Sequence, residues 1–196
     1  MALKTLVKVG MITNLSDARY CAGMGVSMLG FTVVEGQPGF IDPSAYQAIR
    51  GWVSGPTFVA EVYGLQHNTI SAILENYAPD FLELSPEDLL QLTPDISVPL
   101  IISIDTVDEV QVLMAAQWAS KIAYLIINPL SVSEAAIENL AKAYALLLRI
   151  ADEGKLSLLD MFDIKGITLT GGQEIRPGLK DYDNLELIFD QLEAVE

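Results

Sequence analysis

The chain has 196 residues, 51% hydrophobic and 19% charged, a length and composition that predict one globular domain over residues 1–196. Its formal net charge of −15 argues against a nucleic-acid partner, because phosphate backbones bind to concentrated basic surfaces. Cys21 is the single cysteine and no apolar run in the sequence is about 20 residues long, so we expect a cytoplasmic protein with no internal disulfide and no membrane partner.

Short apolar runs alternate with helical patterns along the chain, which is typical of βαβ units and a parallel sheet. Strands are predicted at residues 6–11, 27–34, 57–63, 81–84, 99–104, 123–127 and 165–170. Helices are predicted at residues 17–24, 43–53, 68–77, 86–92 and 107–118, with a terminal helix at 182–195.

The alternation becomes irregular after the sixth strand. Residues 133–153 have apolar side chains at helical spacing and predict one long helix that ends at Gly154. Residues 156–162 fit either a seventh strand or an irregular crossing. A crossover between parallel strands needs about a dozen residues or more, so either the strand or the helix of the seventh βα unit is missing or reduced.

The first strand carries a motif. Residues 7–18 read VKVGMITNLSDA and resemble the opening of the phosphoribosylanthranilate isomerase family, which has K-[IV]-C-G-[IL]-T followed by N-x-x-D-A. The resemblance implies the fold of that family, a (β/α)8 TIM-type barrel, here a shortened one because such barrels usually need roughly 250 residues. In the family the motif's cysteine is the general base, and Gly10 stands at that position.

A second motif lies near the end of the chain. Residues 166–174 read GITLTGGQE and residues 177–181 read PGLKD; the family has G-x-D-V-S-S-G-V-E and then P-G-x-K-D. Glycines allow backbone N–H groups to approach a phosphate closely. We therefore expect phosphate binding by Thr170, Gly171 and Gly172, with a plain chain turn at the two glycines as the alternative.

Two further family positions have changed. Gly39 stands where the family has an arginine that helps to hold a carboxylate, and Asn128 ends the sixth strand where the family has the aspartate that acts as general acid. The family's Amadori rearrangement needs an acid and a base that exchange protons near neutral pH. Because glycine and an amide cannot do so, the resemblance implies a barrel that has lost its acid/base pair at Gly10 and Asn128.

Other residues could have taken over the chemistry. The carboxyl ends of barrel strands converge on one site, and polar residues at these ends are Lys8, Glu61, Glu83, Ser103, Asp105, Asn128 and Thr170. Lys8 and Glu83 are expected to form a structural ion pair; the alternative groups them with Asp105 as substitute catalytic residues or as a Mg²⁺ site. We otherwise expect no metal and no cofactor.

The remaining candidates have ordinary structural interpretations. His67 fits a solvated loop residue better than a catalytic one, and Cys21 fits a buried position on the first helix. Trp52 and Trp118 are expected to be core or oligomer-surface anchors.

Three functions stay open at this point. The first is an isomerase-like barrel protein that binds a small phosphorylated ligand at the carboxyl-terminal face without the family's reaction. The second is an active isomerase of tryptophan biosynthesis with relocated catalytic groups. The third is a non-catalytic interaction module that forms a homodimer.

Overall fold

Eight parallel strands close into a barrel in chain order. The computed structural model describes residues 2–65, 69–92, 96–110, 118–151, 153–171, 174–176, 179–180 and 182–194. The strands are β1 Leu6–Gly10, β2 Met28–Thr32, β3 Thr57–Glu61, β4 Phe81–Leu84, β5 Leu100–Ile104, β6 Ile122–Ile127, β7 Leu146–Arg149 and β8 Gly166–Thr170. β8 closes the barrel on β1, with Gly10 opposite Thr170. The predicted (β/α)8 barrel is confirmed.

Helices follow most strands. They are α1 Leu15–Gly23, α2 Pro43–Trp52, α3 Ile70–Tyr77, α4 Pro86–Leu89, α5 Glu134–Ala143, α6 Leu158–Met161 and α7 Asp183–Leu192. The caps explain several starts: Asn14 accepts from the Asp17 amide, and Ser133 accepts from the Ala136 amide. The helix predicted at 107–118 lies mostly outside the described residues. Glu174–Arg176 and Leu179–Lys180 form a small antiparallel pair.

The barrel interior is layered. Outward-facing strand residues pack beneath the helices, while inward-facing apolar residues form a cluster of their own inside the barrel, namely Met28, Val59, Ile101, Ile126 and Leu147. Strand side chains alternate between faces, so residues two positions further along face the same interior. Those residues are Gly30, Glu61, Ser103, Asn128 and Arg149. The interior therefore changes from apolar to polar toward the carboxyl ends of the strands.

The long helix predicted at residues 133–153 is wrong beyond its first half. α5 ends at Ala143, and residues 146–149 form β7 between β6 and β8. The run Leu146-Leu147-Leu148 fits helical spacing and a buried strand equally well, and the pairing with two neighbouring strands decides for the strand. The seventh strand is thus present. The helix is the reduced part of the unit, because the chain before β8 holds only a 3₁₀ turn at Glu153–Lys155 and the four-residue α6.

Candidate functional site at the carboxyl-terminal mouth

A buried cation lies between two carboxylates in the upper part of the barrel. Lys8 Nζ is 2.6 Å from Glu61 Oε1 and 2.6 Å from Glu83 Oε2, and the three side chains are at most 6% exposed. The expected pair of Lys8 with Glu83 is present, and Glu61 joins it. Asp105 does not belong to this group: its side chain is 78% exposed and its carboxylate faces Arg149.

Two glycines make room for the Glu61 carboxylate. A Cβ atom added at Gly10 would clash with Glu61 Oε1 and lie 3.1 Å from Lys8 Nζ, and one added at Gly30 would lie 2.9 Å from Glu61 Cδ. Glu61 Oε2 accepts further hydrogen bonds from the Met11 amide at 3.2 Å and from Thr32 Oγ1 at 3.4 Å. The carboxylate of Glu61 therefore fills the space that a side chain at position 10 would need.

The electrostatics of this group favour a protonated lysine. Burial lowers the pKa of Lys8, but the charges of Glu61 and Glu83 outweigh burial and raise this pKa above its ordinary range. With Lys8 charged, the three side chains carry a formal charge of −1 when both carboxyls are ionised. We call Lys8, Glu61 and Glu83 the buried charge cluster.

A cavity of about 560 Å³ opens beside this cluster. Its lining comes from residues at and after the carboxyl ends of β3, β4, β5 and β7: Tyr63, Ser85, Pro86, Glu87, Leu90, Ser103, Asp105, Glu109 and Arg149. The carboxyl ends of barrel strands are where (β/α)8 proteins place their sites. We call this space the mouth cavity.

Arg149 brings a cation to the mouth cavity. Its guanidinium Nη2 donates to Ser103 Oγ, and Nη1 lies 3.5 Å from Asp105 Oδ1. The side chain is 38% exposed. The Arg149 side chain extends from β7 to Ser103 on β5, and it also lines the cavity.

Tyr63 connects the mouth cavity to the buried charge cluster. Its hydroxyl donates to Glu83 Oε1 at 2.5 Å. Burial and the neighbouring Glu83 carboxylate raise the pKa of Tyr63 well above its ordinary value. The phenol therefore stays protonated across the neutral range.

The two positions that the sequence resemblance assigns to an acid/base pair hold no proton-exchanging side chain. Gly10 has none, and the Asn128 side chain accepts a hydrogen bond from the Leu130 amide at 3.0 Å, which fixes the turn after β6. An amide that is engaged in this way stabilises a loop. It supplies neither an acid nor a base.

The predicted phosphate-binding residues lie at the end of β8. Thr170 is exposed. The Gly171 amide donates to the Gly10 carbonyl at 2.8 Å, and a Cβ atom at Gly171 would lie 2.9 Å from that oxygen. This glycine is needed for the close approach to β1, and its N–H is engaged in this structure. Gly172 lies outside the described residues.

The remaining sequence candidates have structural positions or lie outside the described residues. Cys21 and Trp118 are buried in the core, whereas Trp52 at the end of α2 is 77% exposed. His67 lies outside the described residues. In the part of the chain that the structure describes, no three His, Cys, Asp or Glu side chains are grouped so as to hold a metal ion.

Sequence reasoning missed two residues of the mouth cavity. The helix predicted at residues 133–153 includes Arg149, so the sequence pattern does not predict its position at a strand end. Tyr63 lies two residues after Glu61 in the strand predicted at residues 57–63, and this i, i+2 spacing is the signal that could have brought both side chains to the same face.

The fold and the mouth cavity define a protein of the (β/α)8-barrel class. Known structures narrow the fold further. The chain is similar to a phosphoribosylanthranilate isomerase solved in complex with reduced 1-(o-carboxyphenylamino)-1-deoxyribulose 5-phosphate (18% identity, 95% of this chain and 97% of the other, TM-score 0.74). It is also similar to the phosphoribosylanthranilate isomerase of Thermus thermophilus (23% identity, 95% of this chain and 98% of the other, TM-score 0.72).

A third similar structure is of monomers generated from the dimeric phosphoribosylanthranilate isomerase of Thermotoga maritima (17% identity, 96% of this chain and 98% of the other, TM-score 0.72). No protein-family profile matches the chain, and no curated protein is similar to it in sequence. The chain thus has the phosphoribosylanthranilate isomerase fold over nearly its whole length. Within the described ranges, every helix is too short or too polar to cross a bilayer.

Proposed function

We propose that this protein is an isomerase-like barrel that does not carry out the Amadori rearrangement and that binds a small phosphorylated molecule in the mouth cavity. The observation that carries the proposal is the Glu61 carboxylate, which fills the space above Gly10 and is held there by Lys8 at 2.6 Å. A cysteine base could enter this space only if Glu61 left its partners.

The loss of the reaction follows from the residues at both proton-transfer positions. Removal of one acid or base commonly costs about 10²–10⁴ in rate, and here Gly10 and Asn128 replace both groups. Lys8 and Glu61 do not line the mouth cavity, which argues against their use as relocated catalytic groups. A relocated isomerase would have to depend on Tyr63 and the carboxylates of the cavity rim.

Three observations support a phosphorylated ligand. Arg149 offers a guanidinium, whose planar set of donors suits phosphate oxygens. β7 pairs with β8 so that Arg149 lies opposite Thr168, and Thr170 follows on the same face, near the strand ends where barrel proteins often bind phosphate. One of the similar structures carries a 5-phosphate ligand. We further propose a cytoplasmic location, supported by the single cysteine.

The proposal predicts binding without isomerisation. Calorimetry with inorganic phosphate, ribose 5-phosphate and reduced 1-(o-carboxyphenylamino)-1-deoxyribulose 5-phosphate should show that at least one of them binds. Arg149→Met should weaken that binding by about 10–100-fold, because it removes a charged hydrogen-bond donor. Arg19→Met is the control, since Arg19 is exposed on α1, away from the cavity.

The predicted absence of isomerase activity is tested in a strain that lacks its own phosphoribosylanthranilate isomerase. We expect the chain to fail to restore growth without tryptophan. Restored growth, with activity of the purified protein, would contradict the proposal and favour the relocated isomerase. If no phosphate compound binds, the interaction module is favoured instead; the exposed Trp52 and the dimeric similar protein make a homodimer the form to look for by size-exclusion chromatography.

A further inference from the structure

The mouth cavity holds more negative than positive charge. Its lining includes three carboxylates, from Glu87, Asp105 and Glu109, and one guanidinium, from Arg149. With all four side chains ionised, the described lining has a formal charge of −2. The lysine of the buried charge cluster cannot offset this charge, because each of its two carboxylate partners lies 2.6 Å away. The cavity therefore has an acidic surplus around the one cation that its described lining contains.

The three carboxylates differ in how far they are already engaged. Glu109 accepts hydrogen bonds from the Thr106 amide at 3.0 Å and from the Thr106 hydroxyl at 2.9 Å, which closes a turn after β5. Asp105 lies 3.5 Å from Arg149. Glu87 is exposed on α4, and in the described part of the chain its carboxylate makes no hydrogen bond or ion pair. Glu87 is thus the carboxylate of the lining that is open to a ligand.

The wall that carries Glu87 is anchored by the next residue. The buried carboxylate of Asp88 accepts hydrogen bonds from the Leu65 amide at 2.9 Å, from the Gly64 amide at 3.2 Å and from the Ser85 hydroxyl at 2.8 Å. These bonds tie the start of α4 to the loop after β3. Glu87 therefore stands on a fixed turn at the edge of the cavity.

Arg149 and Glu87 border the cavity from different strands. Arg149 ends β7, whereas Glu87 follows β4, and β5 and β6 lie between these strands in the barrel. A ligand that reaches both side chains needs a negative group at one end and a positive group at the other. A phosphate monoester alone carries a charge of about −1.5 to −2 at neutral pH, which one guanidinium cannot balance within an acidic lining. A cationic group on the same ligand offsets this repulsion.

We propose that the ligand of the mouth cavity is a phosphate monoester that also carries an amine, with the phosphate on Arg149 and the ammonium group on Glu87. The same lining disfavours a phosphate monoester with a carboxylate at its other end, because like charges then face each other. The inference rests on the proposed binding function and adds the chemical class of the ligand.

Three probes with the same five-carbon skeleton test this inference by calorimetry at about pH 7.5, where an alkyl amine is protonated. They are ribitol 5-phosphate, 1-amino-1-deoxyribitol 5-phosphate and ribonate 5-phosphate, whose first carbon carries a hydroxyl, an ammonium group and a carboxylate oxygen pair, respectively. Relative to the hydroxyl probe, the ammonium probe should bind about 3–10-fold more tightly and the carboxylate probe about 3–10-fold more weakly.

Glu87→Gln tests which carboxylate is responsible. The change removes the charge and keeps the shape, and it should lower the ratio of the carboxylate-probe to the ammonium-probe dissociation constant by about 3–10-fold. Glu134→Gln is the matched control, because Glu134 is also an exposed glutamate in the first turn of a helix, at the start of α5. It removes the same charge from the chain without touching the lining of the cavity, so the ratio should stay at the wild-type value.

The outcomes distinguish this inference from the proposed function. Equal binding of the three probes, or tightest binding of the carboxylate probe, would overturn the inference and leave the proposed function standing. The same holds if ribose 5-phosphate binds and the ammonium probe does not, or if Glu87→Gln keeps the wild-type ratio. If wild type binds no phosphate compound, the proposed binding function fails and the inference fails with it.

Discussion

The barrel mouth has two halves that start from the same interior layer and end differently. On the β1 to β3 side, Gly10 and Gly30 leave space that the carboxylate of Glu61 fills, and this side is closed by buried charge. On the β4 to β7 side, Ser103 and Arg149 border a cavity of about 560 Å³. Tyr63 lies between the two halves and donates to Glu83.

The difference shows how one side of a barrel mouth can be closed by buried charge while the other side stays open. Gly10 and Gly30 leave no empty space on the closed side, because the longer side chain of Glu61 fills it. The buried charge of this carboxylate is balanced by Lys8. The open space lies on the opposite side, where β6 is followed by the amide of Asn128 and β7 ends with Arg149. The closed side and the mouth cavity are connected through Lys8, Glu83 and Tyr63.

The largest expected effect is on the closed half. Lys8→Met leaves two carboxylates without their buried cation and should lower the free energy of unfolding by about 3–5 kcal/mol. Urea unfolding followed by circular dichroism measures this change. A loss under about 1 kcal/mol would show that the buried charge cluster does not hold this half together.

A matched exposed lysine provides the control. Lys142 lies 2.7 Å from Glu138 on α5, and these side chains are 68% and 50% exposed. Lys142→Met should change the free energy of unfolding by only about 0.3–0.5 kcal/mol, since exposed helix pairs contribute little. The contrast with Lys8 assigns the effect to burial and not to the loss of a lysine.

The sequence predicted the closed half better than the open one. Apolar runs of four to eight residues located β1 to β6 and β8 to within a few residues, and the strand-end rule brought Lys8 and Glu83 together. The sequence could not show that Glu61 also reaches Lys8, because this contact depends on the space left by Gly10 and Gly30 on other strands.

The open half was missed for a different reason. Three consecutive leucines before Arg149 satisfy a helix and a buried strand alike, and only pairing with β6 and β8 selects the strand. The sequence pattern groups Asp105 with Lys8 because both lie near strand ends, but Asp105 lies after the end of β5 and points toward solvent and Arg149. The sequence pattern alone predicts at which end of the barrel a residue lies, but it does not predict on which side of the mouth.

A middle-sized effect tests whether Gly10 and Glu61 are coupled. Gly10→Cys places a side chain against Glu61 Oε1 and should cost about 1–3 kcal/mol of stability, as overpacking does. In a Glu61→Ala background, where Lys8 keeps Glu83 as its partner, the same change should cost much less. Equal costs of Gly10→Cys in the two backgrounds, measured by urea unfolding, would show that the space above Gly10 does not depend on Glu61.

The smallest expected effect concerns the residue between the two halves and appears only in alkaline solution. In the folded protein the pKa of Tyr63 is raised by burial and by Glu83, whereas in the unfolded chain a tyrosine loses its proton near pH 10. Above about pH 10 the unfolded state therefore binds fewer protons at this residue, and the contribution of Tyr63 to stability, fully present at lower pH, is lost as the pH rises. The raised pKa of Lys8 acts in the same direction.

Tyr63→Phe should thus make the fall of the unfolding free energy with pH shallower by up to about 1.4 kcal/mol per pH unit above pH 10, the value for one proton. Urea unfolding at a series of alkaline pH values gives the slopes, and tyrosinate absorbance of the folded protein should show one more late-titrating tyrosine in wild type than in the variant. Parallel pH profiles would mean that the Tyr63 hydroxyl is open to solvent, and the link between the closed half and the mouth cavity would be broken at Glu83.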